Sequence, residues 1–409
     1  MMLICLFSPA VFSVGASAAK LLTFGDYKYV IEDGRIIIIS CVSKDKTVEI
    51  PSEIDGIPVT QIGFQAFWDT HEVVTFIIPD SVKVIEDRAF SLRLKLKEVV
   101  IPDSVETIGN GAFAGCPLLT EITIPKSVKA VGLRVFDNCQ KLAAINVDKD
   151  NKAYTDIDGV LFNKNATELL AYPEGRADTE YTVPKSVRTV ANSAFYQAVN
   201  LKKVTLQSGV KSVEASAFSD CKNLSGAVLS DTVTSLGDYV FSGCTALKNI
   251  SLPNSITSIG IQAFIMSGLT EIQLPMNLKE ISDMMFYYCK DLRYVTFGRN
   301  AEKFGRWIFT GCTDLTVKGY ANTFAEAYAA ENGLAFSALC NQLGDINGDG
   351  TVDAADAAYI LTYYAETSVG RKLNDAEMTA GDVNFDGVID AADAAIILEL
   401  YAESQNLQN

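Results

Sequence analysis

Residues 119–139 read LTEITIPKSVKAVGLRVFDNC, and this pattern recurs at a fixed spacing through most of the sequence. Phenylalanines aligned on Phe136 are 23 residues apart, except for one step of 22 and one gap of 59. The ten aligned residues are Phe67, Phe90, Phe113, Phe136, Phe195, Phe218, Phe241, Phe264, Phe286 and Phe309. A period of this length predicts a solenoid, in which each coil buries its apolar face against neighbouring coils.

Further apolar columns stay in phase with the phenylalanines. Five places before each phenylalanine stands an aliphatic residue, replaced by Phe304 in the last copy. Nine and eleven places after it come apolar pairs such as Ile122 with Ile124. Since alternate residues of a strand face the same side, each pair predicts a short strand with one buried face.

The repeat L-x-x-I-x-I-P-x-S-V-x-x-I-G-x-x-A-F-x-G-C resembles the BspA-like leucine-rich repeat over about residues 45–336. Residues 148–183 look like the hairpin-bearing insertion of that family, and about 317–340 look like its closing cap. The resemblance implies a repeat solenoid over residues 20–340, built of short parallel strands with turns and short helical segments. It also implies adhesion and protein binding.

The position ten places after each phenylalanine is predicted to face outward from its strand. This column reads Ile77, Val100, Thr123, Asn146, Thr205, Val228, Ser251 and Thr296, with Gln273 after a one-residue slip. The column holds no aromatic side chain, and stacking on a sugar ring uses Trp or Tyr. It therefore favours recognition of a protein or host surface over a platform for sugars.

Six of the nine cysteines stand three places after a phenylalanine. They are Cys116, Cys139, Cys221, Cys244, Cys289 and Cys312. Stacked coils bring adjacent members within reach of a disulfide, but parallel Cβ directions orient the sulfur atoms poorly for one. Two interpretations remain: buried, reduced thiols that act as small apolar groups, which we favour, and disulfides between adjacent coils.

The periodicity stops after Cys340, and two matching twelve-residue loops follow. They read DINGDGTVDAAD at 345–356 and DVNFDGVIDAAD at 382–393, each followed by a near-copy of one apolar segment. Oxygen side chains at loop positions 1, 3, 5, 9 and 12, with glycine at 6 and a backbone carbonyl at 7, are the ligand pattern of an EF-hand calcium loop. The predicted ligands are Asp345, Asn347, Asp349, Thr351, Asp353, Asp356, Asp382, Asn384, Asp386, Val388, Asp390 and Asp393.

The duplicated loop and helix, with Asp at position 12, resemble a type I dockerin over residues 341–409. This resemblance implies a small all-α domain that binds two Ca²⁺ ions. It further implies docking onto a cohesin module of a scaffoldin in a cellulosome-type complex. The recognition positions of the family fall on Ala354, Ala355, Leu361 and Thr362, and on Ala391, Ala392, Leu398 and Glu399. Because the two Ala-Ala sites match, docking in two orientations is expected.

The composition excludes several kinds of functional site. The 409 residues carry a net charge of −16, so the chain lacks the basic surplus that binds nucleic-acid phosphates. The single histidine, His71, excludes zinc sites with several histidines. No nucleophile motif, phosphate-binding loop or metal constellation appears in the sequence outside the two loops. We therefore expect no catalytic activity.

The first nineteen residues carry no charged side chain and end in Ala16-Ser17-Ala18, a small-x-small pattern. Residues 1–19 are thus predicted to be a signal peptide of a secreted, extracellular protein, in a cell-surface or free complex.

The whole pattern predicts a non-catalytic binding or adhesion solenoid attached to a scaffoldin. The alternative is a carbohydrate-active component of the same polysaccharide-degrading complex, either glycan-binding or a glycoside hydrolase.

Overall fold

The structure is a computed structural model that describes residues 20–298, 300–320, 323–339, 343–347, 351–366, 373 and 375–406. The predicted signal peptide and the predicted ligand Asp349 lie outside these residues. The chain divides into two compact units. The first comprises the residues up to Cys116 together with Ser127–Val135, and the second comprises Pro117–Lys126 together with the residues from Phe136 onward. Both units contain solenoid coils.

Short strands dominate both units. The strands are β1 Leu22–Phe24, β2 Tyr27–Glu32, β3 Arg35–Cys41, β4 Thr47–Glu49, β5 Glu53–Ile54, β6 Ile57–Ile62, β7 Thr75–Ile77, β8 Val84–Ile85, β9 Glu98–Val100, β10 Thr107–Ile108, β11 Glu121–Ile124, β12 Ala130–Val131, β13 Ala144–Val147, β14 Tyr154–Ile157, β15 Val160–Asn163, β16 Glu168–Ala171, β17 Glu180–Val183, β18 Thr189–Val190, β19 Lys203–Leu206, β20 Ser212–Val213, β21 Gly226–Leu229, β22 Ser235–Leu236, β23 Ser258–Ile259, β24 Glu271–Gln273, β25 Glu280–Ile281, β26 Tyr294–Thr296, β27 Lys303–Phe304, β28 Thr316–Gly319 and β29 Ala335–Ala338.

The helices lie toward the carboxyl end. They are α1 Phe324–Glu331, α2 Ala354–Glu366, α3 Asp375–Gly381 and α4 Ala391–Asn406. Helix α1 and strand β29, which pairs in parallel with β28, form the predicted closing cap. Helices α2, α3 and α4 belong to the predicted dockerin region, so its described part is helical as expected. None of the helices in the described residues is long and apolar enough to cross a membrane.

Parallel pairing between coils sets the register. In the first unit, β6, β8, β10 and β12 form a ladder of short strands, and β4, β7 and β9 form a second ladder. The second unit repeats this with β16, β18, β20, β22 and β23, and with β17, β19 and β21. Val204 pairs with Ala227, one period later in the sequence. Because the offset is one repeat, equivalent residues lie beside each other in space.

The aligned phenylalanines stack within each unit as this register requires. The ring centroids of Phe218 and Phe241 are 5.3 Å apart, with 6° between the ring planes. Those of Phe286 and Phe309 are 5.6 Å apart, with 4° between the planes. Phe218 and Phe241 are fully buried in the core of the second unit. The stack therefore removes much aromatic surface from water at every coil.

The insertion contains one more coil than the phenylalanine count predicts. Strands β14 and β15 form the expected antiparallel hairpin. Tyr172 follows, 23 residues before Phe195, and its ring stacks on that of Phe195 at 4.9 Å. Strands β16 and β17 then pair in parallel with β18 and β19. The 59-residue gap is therefore a hairpin followed by a regular coil whose stacking residue is tyrosine.

The cysteine column consists of free thiols, as we favoured. Among the described residues, Cys41 and the six cysteines of the column form no disulfide with one another. The thiol of Cys244 donates to the carbonyl of Phe218 at 3.1 Å, and the thiol of Cys221 donates to that of Phe195 at 2.9 Å. Burial raises the pKa of the Cys221 thiol to about 12. Five of the six column thiols thus donate to a carbonyl of the preceding coil, whereas the thiol of Cys139 lies 4.0 Å from the carbonyl of Asp137 in its own coil.

Glu174 takes the place of a coil-to-coil hydrogen bond next to the insertion. In six other coils the amide two places after the phenylalanine donates to a carbonyl of the next coil, as Asp220 does to Ser242 at 2.7 Å. The equivalent amide of Asn138 instead donates to the carboxylate of Glu174. Glu174 is 4% exposed, and burial raises its pKa to about 8, with the neighbouring Asp137 carboxylate adding to the rise.

Phe218→Ala should lower the free energy of unfolding by about 3–5 kcal/mol, because a buried ring that contacts two others is lost and a cavity remains. The measurement is urea denaturation followed by far-UV circular dichroism. Val228→Ala, at a position that is 48% exposed, is the matched control and should change stability by less than about 0.5 kcal/mol. A loss below about 1 kcal/mol for Phe218→Ala would contradict a stabilising stack.

Glu174→Gln should flatten the pH dependence of stability. The folded pKa of Glu174, about 8, lies above the ordinary glutamate pKa of 4.5, so the folded state holds the proton more tightly. Its contribution is complete below pH 4.5 and falls by up to about 1.4 kcal/mol per pH unit as the pH rises toward 8. Urea denaturation from pH 5 to 9 tests this. Glu180→Gln, at an exposed acid on β17, should leave the profile of the wild type unchanged. Identical slopes for Glu174→Gln and the wild type would refute the assignment.

Candidate calcium and partner sites

The two predicted calcium loops have matching internal geometry. Asp356 lies in the first turn of α2, and its carboxylate accepts from the amides of Asn347 at 3.2 Å and Asp353 at 2.9 Å. Asp393 lies in the first turn of α4 and accepts from the amides of Asn384 at 3.1 Å and Asp390 at 3.0 Å. These partners are 37 residues apart in sequence, as are the loops. The aspartate at position 12 of each loop therefore connects the first part of the loop to the start of the following helix by hydrogen bonds.

The second loop is described completely. The carboxylate of Asp382 accepts from the amides of Asp386 at 3.1 Å and Gly387 at 3.0 Å. Gly387 has a φ of +84°, in the left-handed region that the sharp turn at position 6 requires. Asp386 in turn accepts from the amide of Val388 at 2.8 Å. The loop is therefore closed around its carboxylates by its own backbone amides.

Four of the predicted ligands are buried carboxylates: Asp345, Asp356, Asp382 and Asp393 are each no more than 5% exposed. The pKa of Asp382 is raised by burial first, and also by the negative charges of Asp393 and Asp386. Buried like charges are unfavourable unless a cation or proton compensates them. This donor set of carboxylate, amide and carbonyl oxygens fits Ca²⁺.

The carboxylates in the described part of the two loops do not converge on one point. Among the described residues, no group of three or more acidic, cysteine or histidine side chains is placed to hold a metal ion. The oxygens of Asp356, Asp382 and Asp393 are occupied by backbone amides of their loops. The described part of each loop therefore holds its carboxylates on its own backbone amides, and calcium binding by these residues stays a prediction.

The predicted recognition positions lie on the exposed faces of two helices that pack against each other. Ile360 of α2 and Ile397 of α4 are fully buried in the core of the module. Leu361 is 46% exposed and Leu398 is 44% exposed. All eight positions are exposed: Ala354, Ala355, Leu361, Thr362, Ala391, Ala392, Leu398 and Glu399. The module therefore presents two accessible surfaces that match at three positions and differ at the fourth, where Thr362 corresponds to Glu399.

The strand face of the solenoid is a second candidate surface. Ile77 and Val100 are paired between β7 and β9, and they are 47% and 67% exposed. These side chains place apolar area on the outward column, as predicted from their position after the phenylalanine. An exposed apolar pair of this kind suits contact with a protein.

The outward face also carries an aromatic residue that our single column missed. Tyr294 on β26 is 43% exposed, and the ammonium group of Lys318 lies 4.0 Å from its ring centroid. Glu271 and Gln273 on β24 line the same shallow groove. Tyr294 stands eight places after Phe286, and alternation along a strand makes that column outward too. Inspecting both outward columns would have found it.

The repeats and the carboxyl-terminal module match two protein families. Residues 44–174 and 179–316, more than half of the chain, match the BspA type leucine rich repeat region in six copies. The chain belongs to the BspA-type leucine-rich repeat family. Residues 343–399 match the dockerin type I domain, so this BspA-type chain carries a carboxyl-terminal type I dockerin. Neither family is catalytic, and no catalytic family is found.

A solved structure shows the same fold as the solenoid. The pneumococcal vaccine antigen PcpA is 20% identical, with a TM-score of 0.59 over 79% of this chain and 98% of that one. A leucine-rich repeat protein from Eubacterium ventriosum is 24% identical, with a TM-score of 0.47 over 71% and 93%. A leucine rich cell surface protein from Faecalibacterium prausnitzii is 22% identical, with a TM-score of 0.41 over 76% and 98%. No curated protein matches the chain.

The type I dockerin determines what the module does. Domains of this family bind calcium and imply a cohesin partner. The leucine-rich repeat solenoid is a binding scaffold. The chain therefore combines a ligand-binding surface with a docking module.

Proposed function

We propose that this chain is a secreted, non-catalytic adhesion solenoid that attaches through its dockerin to a cohesin of a scaffoldin in a cellulosome-type, polysaccharide-degrading complex. The observation that carries the proposal is the paired geometry of Asp356 and Asp393. Each carboxylate links a loop to the first turn of the helix that displays the recognition positions. An ordered loop is therefore required for an ordered docking helix.

Two Ca²⁺ ions order the module, one in each loop. The residues that would hold the first ion are Asp345, Asn347, Asp349, Asp353 and Asp356, with the carbonyl of Thr351. The residues that would hold the second are Asp382, Asn384, Asp386, Asp390 and Asp393, with the carbonyl of Val388. The ions supply the positive charge that the buried carboxylates need, so calcium binding and folding of the module are coupled.

The matching faces of α2 and α4 support cohesin docking in two orientations. Leu361 and Leu398 occupy equivalent places on the two helices and are exposed to a similar extent. A cohesin that recognises one set meets the same side chains at Ala354 and Ala355 as at Ala391 and Ala392. A second orientation of the module would therefore present the same Ala-Ala pair and leucine to the cohesin.

The double variant Asp356→Ala with Asp393→Ala should abolish binding to type I cohesin modules, because both helix starts lose their link to the loops. Surface plasmon resonance with the full chain and a panel of immobilised cohesins measures this, and excess EDTA should remove wild-type binding as well. The control, Asp80→Ala with Asp231→Ala, removes the same charge from exposed solenoid positions and should leave binding unchanged. Binding that persists in EDTA would refute calcium-dependent docking.

The ligand of the solenoid is proposed to be a protein or a host surface. Ile77 and Val100 support this, because their adjacent exposed side chains offer apolar area without hydrogen-bonding groups. The alternative, a carbohydrate-active component that binds plant polysaccharide, is favoured by one observation. Tyr294 lies in a groove with Glu271 and Gln273, and an aromatic ring beside carboxylate and amide groups can stack on and hydrogen-bond to a sugar.

A glycan array combined with a reducing-sugar assay distinguishes the two classes. For a protein-binding solenoid, the full chain should bind no glycan and release no reducing sugar. If glycans bind, Tyr294→Ala should reduce the signal at least about tenfold, since aromatic stacking is lost. The control is Thr205→Ala, at an outward position of a different strand, β19, and it should retain the glycan signal. A glycan signal that depends on Tyr294 would replace the adhesion proposal with the carbohydrate-binding alternative.

A further inference from the structure

Two side chains of the solenoid belong to the apolar core of the dockerin. Met276 and Tyr320 are 8% and 2% exposed. They cluster with buried residues of the module, such as Ile346, Val383 and Ile389, and lie outside the main solenoid cluster. The solenoid therefore contributes directly to the packing of the module that follows it.

The sequence marks Met276 as an exception within its own column. It follows the proline that closes a strand, and other copies have a charged or polar residue there. Those residues are Asp80, Asp103, Lys126, Lys185 and Asn254, and all of them are exposed. A methionine at a column position that otherwise faces water is unfavourable unless a neighbour covers it, and the dockerin does so.

A polar contact next to Met276 fixes which loop lies there. The side-chain amide of Asn277 donates to the carbonyl of Phe385 at 3.3 Å. Phe385 stands at position 4 of the second calcium loop, between the predicted ligands Asn384 and Asp386. Its φ of +63° is left-handed, and its side chain packs against the shared cluster. The geometry of this carbonyl depends on the conformation of the calcium loop around it.

The two loops differ at this position. The first loop has Gly348 where the second has Phe385, although the loops otherwise agree at every predicted side-chain ligand. Duplication alone would leave both loops equally suited to the solenoid. The apolar residue at position 4 makes the second loop the one that can bury a ring beside Met276.

The connection between the solenoid and the module is short. Four residues separate Ala338, the end of β29, from Leu343. Such a segment spans at most about 18 Å. A short tether gives an effective concentration in about the millimolar range, so even a small apolar contact is occupied most of the time.

We propose that Met276, Asn277 and Tyr320 form a docking seat for the second calcium loop, and that calcium binding in that loop is coupled to its docking on the solenoid. The seat leaves the recognition positions exposed, including Leu361 and Leu398, so the docked module remains able to bind a cohesin. This inference rests on the proposed calcium binding. Its consequence is a solenoid held in a defined orientation on the scaffoldin, rather than one that swings on a linker.

Isothermal titration of the full, calcium-stripped chain with CaCl₂ tests the coupling. Met276→Asp and Phe385→Gly should each weaken one of the two calcium sites about tenfold, because the loop no longer docks and docking no longer stabilises the bound ion. The other site should keep its affinity. The control is Lys185→Asp, which places the same side chain at the equivalent exposed position of another coil and should leave both sites unchanged.

Hydrogen exchange of the full chain supplies an independent readout. Peptides covering 274–280 should be protected by calcium in the wild type and lose that protection in Met276→Asp. Calcium affinities and protection equal to those of the wild type in both seat variants would overturn the seat while leaving the dockerin proposal intact. If the wild type binds no calcium at all, the proposed function fails instead.

Discussion

Parallel pairing at an offset of one repeat, with phenylalanine stacked on phenylalanine, is the constraint on which the rest of this structure depends. Once Val204 pairs with Ala227, each residue of one coil lies beside its equivalent in the next. The rings of Phe218 and Phe241 then meet at 5.3 Å. The same offset brings the thiol of Cys244 to the carbonyl of Phe218. A solenoid of this kind is stabilised by contacts between neighbouring coils, each of which is small but repeated.

The repeated parts could be predicted from the sequence because identical positions pack against each other. The phenylalanine spacing therefore predicts the stack, and the alternation after it predicts which strand residues face outward. The calcium loops could be predicted for a different reason. Their ligands are close in sequence, so a local pattern contains nearly the whole site. The matching hydrogen bonds of Asp356 and Asp393 follow from that local repetition.

The parts that could not be predicted are departures from repetition. Tyr172 completes a coil, but an alignment on phenylalanine passes over it. The buried side chain of Glu174 takes the place of the carbonyl that the next coil supplies elsewhere. Only the folded chain shows that the amide of Asn138 has this partner. Tyr294 was missed for a simpler reason, since one outward column was inspected where a strand has two. Met276 is visible as an anomaly in its column, but the sequence does not show what covers it.

The dockerin combines a symmetric and an asymmetric surface, and each suits a different partner. Leu361 and Leu398 are equivalent and exposed, so the two helix faces can serve one cohesin in either orientation. Phe385 breaks the symmetry at loop position 4, and its carbonyl accepts a hydrogen bond from Asn277 of the solenoid. The recognition positions lie on the two helices and Phe385 lies in the second loop, so docking on the solenoid leaves the cohesin-binding surface accessible. A chain with two equivalent docking faces would thereby still present its solenoid in one defined direction for each face used.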